Sequence, residues 1–117
     1  MKKDKETLLK CLNNLNKNSN LSELQDYIEK MMNINEFNNT PLELFCYLTE
    51  EVGELAKEIR KSEANMDMDN HKKYDSSLSD ELADVFIYIL ALANSYNIDL
   101  FEALKNKEIK NTEREWE

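Results

Sequence analysis

A chain of 117 residues with one glycine and one proline has few means of turning sharply. Hairpins and tight reversals draw on glycine for left-handed backbone and on proline for a preset φ. Their scarcity predicts long helices joined by few connections, an all-α fold with no strands. One domain accommodates this length, and it is enough to bury a core without disulfide or metal staples.

The balance of charge narrows the partners. With 24 acidic and 15 basic residues the net charge is -9, so no broad basic surface is available for nucleic acid. An acidic chain that handles an acidic substrate must recruit cations; otherwise the charge serves only solubility. Cys11 and Cys46 have neither a metal-type spacing nor the density of a disulfide framework. They read as reduced thiols of a cytoplasmic protein. The first residues, Met1 to Asn14, lack the apolar core of a signal peptide. The longest apolar run, Val85 to Ala93, is too short to span a membrane. The asparagines of Asn13–Asn20 and Asn33–Asn39 suggest no function.

Apolar spacing places the helices. Leu8, Leu9, Leu12 and Leu15 put a first helix over Lys5–Leu15, and Asn16–Asn20 reads as a linker, making residues 1–20 an N-terminal arm. A second helix is expected from Ser22, capped by Ser22 with Gln25, with Leu24, Tyr27, Ile28, Met31 and Met32 on one face, ending near Phe37. The third has the plainest start: Thr40 as N-cap, Pro41 in the first helical position and Glu43 completing a capping box. Its stripe of Leu44, Phe45, Leu48, Val52, Leu55 and Ile59 runs to about Lys61. Ser62–Ser76 is polar and reads as a loop. It carries His71, the single histidine, which is expected on the surface. A fourth helix begins near Ser77, with Leu78, Leu82, Val85, Phe86, Ile89, Leu92 and Ala93 as its core face. Ile87, Leu90 and Ala91 fall on its other faces. A helix apolar nearly all round is buried on several sides, which in a short chain points to an oligomer interface. The last helix starts at Asp99, boxed with Glu102, and runs to about Ile109. Residues 21–117 thus read as one domain with a four-helix-bundle core.

The two central helices share an acidic pattern. With Leu48 at the stripe centre, Glu51 lies roughly 60° and Glu54 roughly 120° to one side, while Glu50 points away. On the fourth helix, with Leu82 at the centre, Glu81, Tyr88 and Asp84 fall roughly 100°, 120° and 160° away on one flank. Each helix therefore carries two acids three residues apart, which are surface neighbours. Packed antiparallel, the helices bring Glu51/Glu54 against Glu81/Asp84. Four converging carboxylates repel unless their pKa values rise or cations hold them. Oxygen-only ligands suit Mg²⁺, Mn²⁺ or Ca²⁺, and Mg²⁺ leaves positions free for phosphate. The plain alternative is a solvated face with pairs such as Glu54–Lys57 and Glu58–Lys61. A di-iron bundle wants Glu-x-x-His motifs, which are missing here.

The segment LTEEVGELAK from Leu48 to Lys57, followed by DELADV from Asp80 to Val85, resembles the MazG-like nucleoside triphosphate pyrophosphohydrolases. These all-α enzymes also resemble dimeric dUTPases and phosphoribosyl-ATP pyrophosphohydrolases. Their EExxE…ExxD signature reads here as Glu50, Glu51, Glu54, then Glu81 and Asp84. Ser22–Ile28 is similar to the family's first core helix. Gly53 matches a family glycine, at a cost of about 1 kcal/mol inside a helix. Close approach of another backbone would account for it. Tyr88 matches a family tyrosine, and Lys110–Trp116 resembles a C-terminal KNxxRxW. The arm, Met1–Asn20, lies outside the likeness. Members preferring deoxycytidine nucleotides carry His and Trp in the first core helix, where this chain has Tyr27 and Phe37.

The resemblance implies a cage of Glu51, Glu54, Glu81 and Asp84 holding Mg²⁺, with Mn²⁺ as an alternative, against a nucleoside triphosphate. Water then cleaves it to monophosphate and pyrophosphate, with Glu50 or Glu54 orienting that water. It further implies phosphate contacts from Lys107, Lys110, Asn111 and Arg114, with Tyr88 also among the substrate-binding residues. Phe37 could stack on the base, and Trp116 is expected to pack in an interface. A homodimer or homotetramer that cleans the nucleotide pool is the implied setting. Two other readings stay open: a pyrophosphohydrolase for another phosphate ester, and a helical protein that binds nucleotide or a partner without turnover.

Overall fold

The computed structural model describes residues 2–67 and 76–114. Among them all regular structure is helical: α1 (Lys2–Asn14), α2 (Leu21–Ile34), α3 (Pro41–Asp67), α4 (Ser76–Ser95) and α5 (Leu100–Thr112). The expected all-α class is what the chain adopts, with five helices and no strand among the described residues. His71, Trp116 and the last part of the expected loop, residues 68–75, lie outside the described residues.

Local capping chemistry sets most boundaries. At α3, Thr40 N donates to Glu43 Oε1 (2.8 Å) and Glu43 N donates to Thr40 Oγ1 (3.2 Å), the reciprocal box that the sequence implies. At α5, Glu102 N donates to Asp99 Oδ1 at 3.0 Å. At α2 the cap falls two residues earlier than expected. Asn20 is the N-cap, with Glu23 N donating to Asn20 Oδ1 (2.8 Å) and Asn20 N to Glu23 Oε1 (3.3 Å). Ser22 and Gln25 therefore lie inside the helix, and Gln25 is released for a different task.

Two helices stop in Schellman motifs without glycine. After α2, Glu36 takes φ 57°, Glu36 N donates to Asn33 O and Phe37 N to Met32 O. After α4, Asn97 takes φ 55°, Asn97 N donates to Asn94 O and Ile98 N to Ala93 O. Asparagine tolerates the left-handed region; glutamate is less usual there. These stops end α2 at Ile34, short of Phe37. The opposite happens to α3, which runs past Lys61 to Asp67, correcting the loop expected from Ser62. That stretch is polar but contains no glycine or proline to end a helix, and its early part is the solvated flank of a long helix. The helix α5 likewise continues past Ile109, so Lys110 and Asn111 are helical.

The chain forms two compact units, Met1–Asn38 with Ala93–Glu117, and Asn39–Leu92. In the first, α2 packs against α1 and α5, with Ile28 and Ala93 buried. Gln25 is buried with them and joins α2 to the α4–α5 connection. Its Nε2 donates to Asn94 Oδ1 (3.0 Å) and Ile98 O (2.8 Å), its Oε1 accepts from Leu100 N (3.0 Å), and Asn94 Nδ2 donates back to Gln25 O (2.8 Å). In the second unit Leu44, Leu90 and Ala91 are buried. The expected core face of α4 is corrected here: Leu82, Phe86 and Ile89 are exposed, while Leu90 and Ala91 are covered. Periodicity identifies an apolar stripe but not the chain that covers it. Phe45, Val52 and Ile59, one heptad apart on α3, are exposed too. A Cβ added at Gly53 meets nothing within 4 Å, so no backbone among the described residues makes the expected close approach.

Among the described residues no helix is long and apolar enough to cross a membrane. Cys11 and Cys46 are both free thiols.

Candidate metal centre

The second unit contains the acidic helices. Glu51 on α3 and Glu81 and Asp84 on α4 are all half-buried, and one oxygen of each lies within 4.8 Å of the others. The i, i+3 spacing of Glu81 and Asp84 puts them on one flank of α4, opposite Glu51. Glu81 Oε2 is shielded from solvent, and no hydrogen-bond partner reaches it among the described residues.

That arrangement is costly for three negative charges. The side chain of Glu51 beside it, then burial, then the charges of Glu51, Asp84 and Glu54 push the Glu81 carboxyl up to about 7. Such a group either keeps its proton or meets a cation. A hard divalent ion suits an all-oxygen set with one unpartnered buried oxygen. The residues present therefore fit a metal.

Two tyrosines sit at one end of this cluster. Tyr47 precedes Glu51 by one helical turn and Tyr88 follows Asp84 by one turn, so each shares its helix face with a carboxylate. Their ring centroids are 5.9 Å apart, with planes inclined at 39°. Burial, then the charges of Glu51, Asp84, Tyr47 and Glu50, raise the Tyr88 hydroxyl above its ordinary value. It stays protonated and able to donate at neutral pH. Tyr47 is not evident from sequence, although its spacing from Glu51 mirrors that of Tyr88 from Asp84.

The other expected site residues fall as follows. Glu54 is exposed and lies outside the group of three, though its charge acts on Glu81. Glu50 is exposed and acts on Tyr88. Glu58 pairs with Lys61 at 3.3 Å, an ordinary surface ion pair. Lys107, Lys110, Asn111 and Arg114 belong to the first unit, as does Phe37. Both lysines are exposed on α5, Asn111 Nδ2 donates to Glu108 Oε1 at 2.9 Å, and Phe37 is half exposed.

A helix pair that brings three half-buried carboxylates together, one with an unsatisfied oxygen, makes a candidate metal centre in an all-helical protein. The family model for the MazG nucleotide pyrophosphohydrolase domain matches residues 39–116. The chain belongs to that family. It is also similar to the uncharacterized protein YpjD of Bacillus subtilis (strain 168), at 38% identity over 64 residues. That alignment covers 55% of this chain and 57% of the relative, so the chain spans little more than half the relative's length. No solved structure gives a significant match.

Proposed function

We propose that the chain hydrolyses nucleoside triphosphates to the monophosphate and pyrophosphate, using Mg²⁺ held by Glu51, Glu81 and Asp84. The observation that carries the reading is the unpartnered buried oxygen of Glu81 inside a three-carboxylate cluster. Family membership supports it. A cation held there supplies Lewis acidity and neutralises phosphate charge.

The chain's own residues supply the rest. Glu81 gives up its proton, and Glu51, Glu81 and Asp84 present carboxylate oxygens. Glu54, one turn beyond Glu51 and open to solvent, orients the attacking water and accepts its proton; Glu50 is the alternative for that role. Tyr88 donates its hydroxyl to a phosphate oxygen. Lys107, Lys110, Asn111 and Arg114 bind the phosphate chain and Phe37 the base, on the strength of the family likeness. Mn²⁺ is expected to substitute for Mg²⁺.

Assembly is part of the proposal. Phe45, Val52 and Ile59 on α3, with Leu82, Phe86 and Ile89 on α4, are apolar and exposed. Leu82 and Val52 leave 53% and 48% of their surface open. Exposed apolar stripes on two helices mark an interaction surface, so a homodimer or homotetramer is proposed to cover them. The role proposed for the enzyme is removal of unwanted nucleotides in the cytoplasm.

Glu51→Gln and Asp84→Asn test the site. Each removes one charged ligand, which should cost at least about 100-fold in turnover, with the helical circular-dichroism signal intact. Near wild-type turnover in either variant would show that the cluster is not the metal centre.

A further inference from the structure

Tyr88 offers a hydroxyl beside the carboxylates, but a tyrosine on a half-buried helix face has more than one rotamer open to it. Its hydroxyl sits at the end of a long lever, so a change of rotamer would move the donor several ångströms away from any phosphate. Something must hold the ring. On α4 its own neighbours in the turn before are Asp84 and Val85, and neither presents a flat surface. The ring that meets it comes from α3: Tyr47, with centroids 5.9 Å apart and planes tilted by 39°. Aromatic rings at this separation attract each other beyond the area they bury.

Tyr47 is itself fixed by position. It stands one turn before Glu51 on the same face of α3, in the early part of a helix whose start is secured by the Thr40–Glu43 box. The side chain is a little over one-third exposed, so it is not there as core filling.

We infer that Tyr47 is a positioning residue for the reaction, holding the Tyr88 ring so that its hydroxyl meets the phosphate chain of the bound nucleotide. The inference rests on the proposed reading of the acidic cluster as a triphosphate site. Tyr47 touches neither cation nor substrate; its influence passes through Tyr88.

Tyr47→Ala removes the supporting ring and Tyr47→Phe keeps it. A donor that contacts phosphate equally in the ground and transition states affects KM rather than kcat. Tyr47→Ala is therefore expected to raise KM for the preferred triphosphate about 3- to 10-fold, with kcat within about twofold. Half-saturation by Mg²⁺ should not change, and Tyr47→Phe should restore wild-type KM. Affinity for a non-hydrolysable α,β-methylene triphosphate, measured by calorimetry, should weaken by the same factor. Tyr47→Leu, which keeps apolar bulk, serves if the alanine variant folds poorly, and the same rise in KM is expected.

The decisive arm is a double-mutant cycle with Tyr88→Phe. Without the hydroxyl there is nothing to position, so Tyr47→Ala should have no further effect on KM in that background. Additive effects would overturn the inference, as would a wild-type KM in Tyr47→Ala and Tyr47→Leu. A fall in kcat with a raised Mg²⁺ requirement would also overturn it, because Tyr47 would then be supporting the carboxylates. Those results leave the pyrophosphohydrolase reading standing. A wild-type chain inactive on every nucleotide removes that reading and this inference together.

Discussion

Replacing Gln25 with methionine removes a buried amide that connects α2 to the start of α5. The side chain makes three hydrogen bonds, to Asn94 Oδ1, Ile98 O and Leu100 N. Methionine has a similar length and fills much of the same space, so the cavity term is small. What remains is three polar groups without their partner, at about 1 kcal/mol each. Water offsets part of this loss. A cleft of about 240 Å³, lined by Ser22, Asp26, Glu29 and Asn97 among others, adjoins Gln25 and has ample room for it. The expected destabilisation is about 2–3 kcal/mol, which for a domain of this size lowers Tm by about 10 °C. Urea unfolding followed by circular dichroism measures it directly. Gln25→Ala should cost at least as much, because it also leaves a cavity. If Gln25→Met stayed within about 0.5 kcal/mol of the wild type, below the worth of a single such bond, the three bonds would carry no net stability and the account of this junction would be wrong.

Other consequences concern the acidic cluster and the exposed stripe. The folded chain holds the Glu81 proton up to about pH 7, against an ordinary value of 4.5. Its contribution to stability is therefore complete below the ordinary value and is lost as pH rises through about 7. Metal-free protein should lose Tm between about pH 5 and pH 8 relative to Glu81→Gln, and Mg²⁺ should restore it at the higher pH. Equal pH profiles for the two proteins would rule this out. Leu82→Lys places a charge at the most exposed position of the α4 stripe and should weaken self-association at least about 100-fold, as read by light scattering across a concentration series. A wild-type protein that is monomeric at all concentrations would remove the proposed interface.

Features that depend on near neighbours in sequence were the legible ones. The Thr40–Pro41–Glu43 start and the Asp99–Glu102 start are complete within four residues, so the chain announces them. The shared flank of Glu81 and Asp84 was legible for the same reason, since i, i+3 spacing fixes a common face; Glu54, paired with Glu51 by the same spacing, is exposed and lies outside the cluster. The α2 cap misled because Asn20, Ser22, Glu23 and Gln25 all offer capping chemistry, and the choice among them is made by Gln25's partners. Those partners start 69 positions away, beyond any local pattern. Tyr47 was missed because its value lies in a ring contact with another helix. Leu82, Phe86 and Ile89 form the stripe expected of a core helix, yet they are exposed in the single chain. Their periodicity encodes that something covers them, and another copy of the chain is the proposed cover.

Chromatography of the reaction products shows which bond of the triphosphate, if any, this chain cleaves. Purified protein is incubated with Mg²⁺ and a panel of ribo- and deoxyribonucleoside triphosphates, including dUTP, 5-substituted dCTP and inosine triphosphate. The account predicts monophosphate and pyrophosphate from at least one nucleotide, abolished by EDTA and by Asp84→Asn. Diphosphate with inorganic phosphate would place cleavage at the other bond and contradict it. Failure to turn over any member of the panel would contradict it as well, and leave a helical protein that binds without catalysis.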